Sequence, residues 1–216
     1  GANITTGADN LAIGKSAMGT GVTTGADNIA IGQEAGNDLT TGQYNVFIGA
    51  NAGDEVTTAS NTIAIGRRSI GQGVTTGADN VAIGQNTGHE LTSGEKNLIA
   101  GSYAANSLQT GSENVLLGAF SGGYLVTGTG NTFTGYFAGY GVSGTADNNT
   151  MVGKSSGVGK TSGSNNTLIG YRAIASAPTV SNEITLGDTN VTSFRIPGIQ
   201  SGATSGDVLT YDGSKL

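Results

Sequence analysis

The chain has 216 residues, 39 of them glycine and two proline, with no cysteine and a formal net charge of -6. Without cysteine there is no disulfide framework and no thiolate metal site. A charged fraction of only 11%, with Lys and Arg scattered, lacks the basic footprint of a nucleic-acid binder. Hydrophobic residues at 36% are too many for simple disorder, no apolar run reaches membrane-spanning length, and no signal peptide is visible.

From the N-terminus onward, one short pattern returns. A chain that starts at Gly1 rather than methionine suggests a piece of something longer. In its cleanest form the pattern is GADNIAIG, Gly25 to Gly32, and its closing glycine recurs at Gly14, Gly32, Gly49, Gly66, Gly84, Gly101, Gly118, Gly135, Gly153, Gly170 and Gly187, always 17 or 18 residues apart. Four residues earlier stands Asn10, Asn28, Asn45, Asn80, Asn97, Asn114, Asn131, Asn149 or Asn166, with Thr62 and Glu183 as the departures. Collagen would need glycine at every third position. A fixed period of this length instead predicts an all-β parallel β-solenoid, a β-roll or β-helix, of about eleven 17–18-residue rungs over residues 1–190, followed by a transition or capping segment at 191–216.

The first five copies, NLAIG, NIAIG, NVFIG, TIAIG and NVAIG, each read as one short strand. Alternate residues of a strand share a face, so Leu11 with Ile13, Ile29 with Ile31 and Ile63 with Ile65 are expected to point inward, with Ala12, Ala30, Ala64 and Ala82 on the opposite face. A second aliphatic position at Val22, Leu39, Val56, Val74 and Leu91, followed by Thr-Thr or Thr-Ser, reads as a second, shorter strand. The extra residue of the 18-residue copies is expected between the glycine and that strand, as a comparison of GKSAMGTGV with GQEAGNDL indicates. Helix fits poorly, because glycine about every five residues is costly in a helix interior and apolar residues two apart have a strand period.

From Asn97 the middle residue grows to Ile99, Leu116, Phe133, Met151 and Leu168, while Thr132, Thr150 and Thr167 replace the first aliphatic one. Apolar weight on both strand faces predicts packing between chains, most simply in a symmetric homo-oligomer. After Gly187 the spacing and the asparagine are lost, and Pro197 lies within the remainder.

These residues carry a resemblance. The N-x-A-I-G cores with intervening TTG turns resemble the head repeats of trimeric autotransporter adhesins, and still more those of bacteriophage tail fibres with the same repeat. SNNTLIGYRAIASAPTVSNEITLGDTNVTSFRIPG, from Ser164 to Gly198, is similar to the end of such a fibre shaft, just ahead of an intramolecular chaperone domain. Adhesin heads usually have shorter repeats than 17 residues, and residues 1–216 hold no chaperone sequence. The resemblance implies a homotrimer of intertwined or side-by-side solenoids, a stiff rod in a virion that contributes to host-surface attachment through a cell-surface glycan or protein. The alternative it leaves is the head of a bacterial trimeric adhesin at the cell surface, binding a host-surface or matrix ligand. With strands about 4.8 Å apart, eleven rungs make a body roughly 50 Å long.

For chemistry the residues offer little. His89 is the only histidine, and it reads as a solvated loop residue. Asp9, Asp27, Asp79, Asn148 and Asn149 could stack as oxygen ligands for a hard cation, but a ladder of Asx turns is the stronger reading. Thr23, Thr40, Thr57 and Thr75 fit an edge ladder better than an ice-binding array. Glycine strings such as that near Gly19 and Gly21 do not precede a helix, so they are not a nucleotide fingerprint. Carboxylates spread one or two per rung do not form the pair a polysaccharide-cleaving spike would use. No enzyme activity, cofactor, metal or membrane insertion is expected. One local enrichment stands out: Phe120, Tyr124, Phe133, Tyr136, Phe137 and Tyr140. Tyr124, Tyr136 and Tyr140 are candidates for stacking on a sugar; the competing account has the aromatic group filling a wider section of the rod.

Overall fold

The computed structural model describes residues 4–193, so the transition segment expected at 191–216, with Pro197, lies outside the described residues from 194 onward. Eleven three-residue strands follow one another: β1 Leu11–Ile13, β2 Ile29–Ile31, β3 Val46–Ile48, β4 Ile63–Ile65, β5 Val81–Ile83, β6 Leu98–Ala100, β7 Val115–Leu117, β8 Thr132–Thr134, β9 Thr150–Val152, β10 Thr167–Ile169 and β11 Ile184–Leu186. They form a single parallel sheet in chain order, in which every residue lies over its equivalent, as Ala12 over Ala30 over Phe47. The chain is an all-β solenoid of about ten turns, and the described residues contain no helix.

Two turns make the rung. Before the strand, the residue preceding the asparagine takes a left-handed conformation, as Asp27 (φ 58°), Asp79 (φ 60°) and Asn148 (φ 55°) do, which Asp and Asn tolerate best among non-glycine residues. The asparagine that follows is buried and reaches along the rod. Asn97 Nδ2 donates to Asn80 Oδ1 and to the Gly111 carbonyl, both at 3.0 Å, and Asn97 Oδ1 accepts from the backbone N–H of Asn114 at 3.0 Å. Thr62 can receive the ladder through its N–H but has no carbonyl to extend it, and Asn80 starts it again. After the strand, the closing glycine turns with φ between 123° and 139° from Gly14 to Gly170. A Cβ on Gly118 would lie 2.5 Å from the Gly135 carbonyl oxygen of the next rung.

The inward residue is the middle one. Ala30, Phe47, Ala64, Ala82, Ile99, Leu116, Phe133, Met151 and Leu168 are fully buried, whereas Leu11 is 46% and Ile13 53% exposed. The period of two is right and its phase is the reverse of the expectation. A three-residue strand can send in either its ends or its centre, and a coil this narrow takes only the centre. The later large middle residues therefore enlarge the core and do not open a second face.

Core volume is exchanged between two places in the rung. Four residues after the closing glycine stand Gly36, Gly53, Gly88, Gly122, Gly139 and Gly157, and a Cβ there would meet Phe47, Phe47, Ile99, Leu116 and Phe133, Phe133, and Met151 respectively, at 3.3 Å or less. Where the strand centre is alanine, a large residue can occupy that place: Met18 beside Ala12, Ile70 beside Ala64, both buried.

Among the described residues no second strand forms in the rung. The segment after the loop stacks through shared acceptors instead, such as Thr40 O, which receives the N–H groups of both Thr24 and Gly25. Isolated bridges, Ile4 with Thr23 and Val56 with Thr75, are the remnants of strand pairing there. Leu39, Val56, Leu91, Leu108, Leu125 and Val142 point inward, but in the longer rungs Val22 and Val74 are 58% and 61% exposed and Thr23 and Thr75 take the inner place. Thr23 and Thr75 hydroxyls donate to the Leu39 and Leu91 carbonyls at 2.9 and 2.7 Å, so the threonines do form an inter-rung ladder. In the rung from Gly135 to Gly153 the extra residue lies later, since Val142 keeps its inner place and Asn131 reaches 15 residues on, to Ala146, instead of the usual 14.

The rungs toward the C-terminus, from nine to eleven, depart from the rest. Lys160 occupies the inner place of Leu125 and Val142, and its Nζ donates to the Ser162 and Val180 carbonyls at 2.5 and 2.6 Å. Burial pulls its ammonium below the usual lysine range, and Glu183 partly offsets this. Glu183 replaces the ladder asparagine: its N–H donates to Asn166 Oδ1 at 3.0 Å, and its carboxylate receives the Ser176 hydroxyl and backbone N–H and the Thr185 hydroxyl.

Gly118→Ala should lower the melting temperature much more than Gly144→Ala, because Gly144 (φ 63°) has open space where its Cβ would go and the left-handed penalty alone is about 1–2 kcal/mol. Leu116→Ala should cost about 2–5 kcal/mol; equal melting of all three would contradict this core. The Glu183 carboxyl is held below the ordinary carboxylate range, chiefly by the Ser176 and Thr185 hydroxyls. A depressed folded-state value means that its stabilising contribution is present above the ordinary glutamate range and is lost as pH falls through the lowered value. The protection factor of the Ser176 amide, with the intrinsic pH dependence of exchange divided out, should therefore fall on acidification, and Glu183→Gln should flatten that response.

Candidate functional site

Two surfaces stand out, and they lie on different sides of the rung. The first is the outer face of the sheet. Because only strand centres point inward, the first and third residues of every strand form two parallel rows outside. From β1 to β7 these rows are wholly aliphatic: Leu11, Ile29, Val46, Ile63, Val81, Leu98 and Val115 in one, Ile13, Ile31, Ile48, Ile65, Ile83, Ala100 and Leu117 in the other. Ile83 is 43% and Leu98 41% exposed. Threonine enters at Thr132, Thr134, Thr150 and Thr167, and the rows end with Ile184 and Leu186. Contiguous apolar surface of this kind is rare on a monomer and marks an interaction site.

The second surface is the loop that follows the closing glycine. Its second residue is left-handed in every rung from Ser16 to Arg172, reading Ser16, Glu34, Asn51, Arg68, Asn86, Tyr103, Phe120, Phe137, Ser155 and Arg172 along the rod. Stacking converts this sequence into a column of neighbours. Tyr103 and Phe120 are parallel, with centroids 5.3 Å apart, and Phe120 and Phe137 likewise at 4.9 Å. Tyr136 and Tyr140 stand nearly perpendicular to Phe137, at 4.4 and 4.6 Å. Tyr140 lies over Gly123, where a Cβ would come 3.0 Å from its ring, and its hydroxyl donates to the Tyr124 hydroxyl at 3.3 Å. That bond leads the causes raising the Tyr140 hydroxyl above the usual tyrosine range.

The three tyrosines chosen from sequence are thus brought together, with Tyr124 and Tyr136 about half exposed. Phe133 separates from them, since it fills the core. Of the two accounts of the aromatic group, core filling applies to Phe133, while the other five gather on the surface. Tyr103 belongs to the group and was not anticipated; its place two residues after a closing glycine, shared with Phe120 and Phe137, is the signal for it.

The same stacking gathers carboxylates that look dispersed in sequence. Asn51 Nδ2 donates to Glu34 Oε2 at 2.8 Å and to Asp54 Oδ2 at 3.1 Å. Burial raises the Asp54 carboxyl, helped by Asp38, Glu34 and Glu55, whereas hydrogen bonds from Asn51 and Gln33 lower that of Glu34. The expectation that carboxylates remain apart is therefore corrected for rungs two and three. His89 is half-buried in its loop with no partner at Nδ1. Among the described residues no three His, Cys, Asp or Glu side chains are placed to hold a metal, and no helix is long and apolar enough to cross a membrane. An open depression at the C-terminal end is lined by Arg172, Ile174, Leu186, Asp188 and Asn190.

Comparison with protein-family models, with curated proteins and with solved structures gives no match.

Proposed function

We propose that the chain is a shaft module of a bacteriophage tail fibre, a stiff homotrimeric rod that contributes to host-surface attachment. The observation that carries this reading is the outer sheet face, two rows of aliphatic side chains running unbroken through β7 on a body otherwise wrapped in polar turns. A single solenoid needs only its interior covered. A further apolar face in continuous register calls for a partner with the same repeat along the same axis, and a second copy of this chain has that repeat. Association through this face would bury the rows and shield the narrow sheet. Three copies, rather than two, is what the resemblance to fibre shafts implies. The rod itself supplies reach and stiffness, with an attachment role for side chains on the loop side.

Sedimentation equilibrium should give three times the 21.3 kDa chain mass. Replacing outward aliphatics, as in the double variant Ile48→Glu with Ile83→Glu, should give monomers that keep the β-sheet circular dichroism. A wild-type monomer would defeat the oligomer reading and leave the solenoid standing.

The rod is read as non-catalytic. Glu34 and Asp54 approach the form of an acid-base pair, but both are occupied by Asn51 on an outer surface. Incubation with bacterial surface polysaccharide should release no oligosaccharide; release that disappears in Asp54→Asn would make the protein an enzyme.

A further inference from the structure

The aromatic column stops where an additional ring would fit. Tyr103, Phe120 and Phe137 continue one another at centroid spacings of 5.3 and 4.9 Å. The next residue of the column is Ser155, whose N–H donates to the Tyr136 carbonyl at 2.8 Å, so rung nine sits in register on rung eight. Ser155 has the same left-handed backbone as Phe137, φ 58° in each. A hydroxymethyl group there is too short to cover a phenyl ring. Among the described residues the ring contacts of Phe137 come from Phe120, Tyr136 and Tyr140 and none from rung nine, so the place of the next ring of the column, one rung spacing or about 4.8 Å on, is a notch bordered by the short Ser155 side chain.

Other side chains frame this notch. Tyr136 stands at its lower edge, and Lys154 Nζ lies 5.9 Å from the Tyr136 ring centroid. Val158, 37% exposed, and Arg172, also exposed, lie on the rungs beside and beyond. Arg172 also acts on Asp188, which is held low mainly by Asn190, so Lys154 is the nearer cation for a ligand. Of the cations on these rungs, Lys160 is buried with Glu183 acting on it and Arg172 acts on Asp188, which leaves Lys154 exposed beside the Tyr136 ring. An aromatic face next to an exposed cation suits a sugar ring that carries a carboxylate.

We propose that the Phe137–Ser155 notch binds a carboxylated hexopyranose, a uronate unit of an acidic surface polysaccharide, stacked on Phe137 and flanked by Tyr136, with its carboxylate toward Lys154. Sugar C–H groups on an aromatic face and tyrosine hydroxyls at its margin supply orientation. The assignment rests on the attachment role proposed above and gives it a ligand class and a place. It does not depend on the number of chains in the rod.

The test prints bacterial surface polysaccharides, with and without uronate, on one array and probes it with the full chain. Retention on uronate-bearing polysaccharides is expected. An array with no retention, or retention of neutral polysaccharides alone, overturns the proposal, as does equal retention of double-stranded DNA, which would mean charge without stacking. The retained polysaccharide is then titrated against variants. Ser155→Phe, which extends the column at a backbone that already accepts phenylalanine, should weaken binding at least tenfold without lowering the melting temperature. Lys154→Gln should weaken it several-fold and reduce its salt dependence. If Ser155→Phe fails to fold, Phe137→Leu, with melting recorded, supplies the same decision. Binding unchanged in a folded Ser155→Phe or Phe137→Leu protein overturns the site. Sedimentation of the same samples keeps the two readings separate, since a trimer that binds no glycan defeats only this proposal and a monomer that binds uronate defeats only the trimer.

Discussion

The structure depends on identical elements lying directly over one another at a single strand spacing. The closing glycines impose this most strictly, because at Gly14, Gly32, Gly66, Gly118 and Gly135 the backbone of the next rung lies within 2.6 Å of where a Cβ would go. Parallel pairing at one residue per residue then follows, and so does the asparagine ladder, whose amides fit the rung spacing as they do between neighbouring strands. From Asn28 to Asn166 each amide of that ladder is buried and hydrogen-bonded, the condition under which a buried polar network adds specificity instead of a desolvation cost. A slip of one residue would break both systems together. Register is therefore defined by the backbone and by polar groups, which leaves the apolar positions free to vary in size.

That freedom divides the surface into two kinds. On the strand side, successive rungs repeat the same aliphatic types, so the outer face is monotonous over seven strands. On the loop side, successive rungs share only a left-handed backbone. The residues there run from carboxylate (Glu34) through amide and guanidinium (Asn51, Arg68) to aromatic rings (Tyr103, Phe120, Phe137). A monotonous apolar face suits association with a copy of the same repeat, which offers the same spacing. A face whose chemistry changes from rung to rung suits recognition of something that is not a repeat of the chain. The fold supports both because the two sides of the rung are joined only through the backbone and the thin core between them.

Much of this was legible in the sequence, and the limits have physical causes. The solenoid, the anchoring glycines, the turn-forming Asp and Asn residues and the threonine ladder follow from period and residue type alone. The inward face was misread because Ile29 and Ile31 outweigh Ala30 by hydrophobicity, whereas the constraint is width: a coil this narrow admits one side chain per strand. Compensation between strand centre and loop, as between Phe47 and Gly36 with Gly53, could have corrected the phase, since glycine stands four residues after the closing glycine on the rungs of Phe47, Leu116, Phe133 and Met151 and, at Gly36 and Gly88, on the rungs before Phe47 and Ile99. The second strand failed because Thr and Val propensities describe a local preference, while the segment's N–H groups share carbonyl acceptors across the rung. The place of Tyr103 in the aromatic group and the carboxylate cluster were missed for another reason. These clusters join residues 16 to 18 apart, and only alignment of each position against the closing glycine brings Tyr103, Phe120 and Phe137 into one column.

The last three rungs show what the repeat costs to end. An interior rung leaves amides and carbonyls directed at its successor, and a repeat array needs a terminal unit of different composition to satisfy them. Here the ladder asparagine becomes Glu183, which accepts hydrogen bonds from Ser176 and Thr185, and the core aliphatic becomes Lys160, which donates to the Ser162 and Val180 carbonyls. Glu183, on rung eleven, has lost the amide's donor, and Lys160, on rung nine, has gained several. The opposite charges favour each other through the last turn, so Lys160 can be buried near the end of the core where a lone ammonium would be strongly disfavoured. The repeat thus closes by replacing an amide and an aliphatic residue with a carboxylate and an ammonium, a substitution that keeps the hydrogen bonds and removes the template for another identical rung.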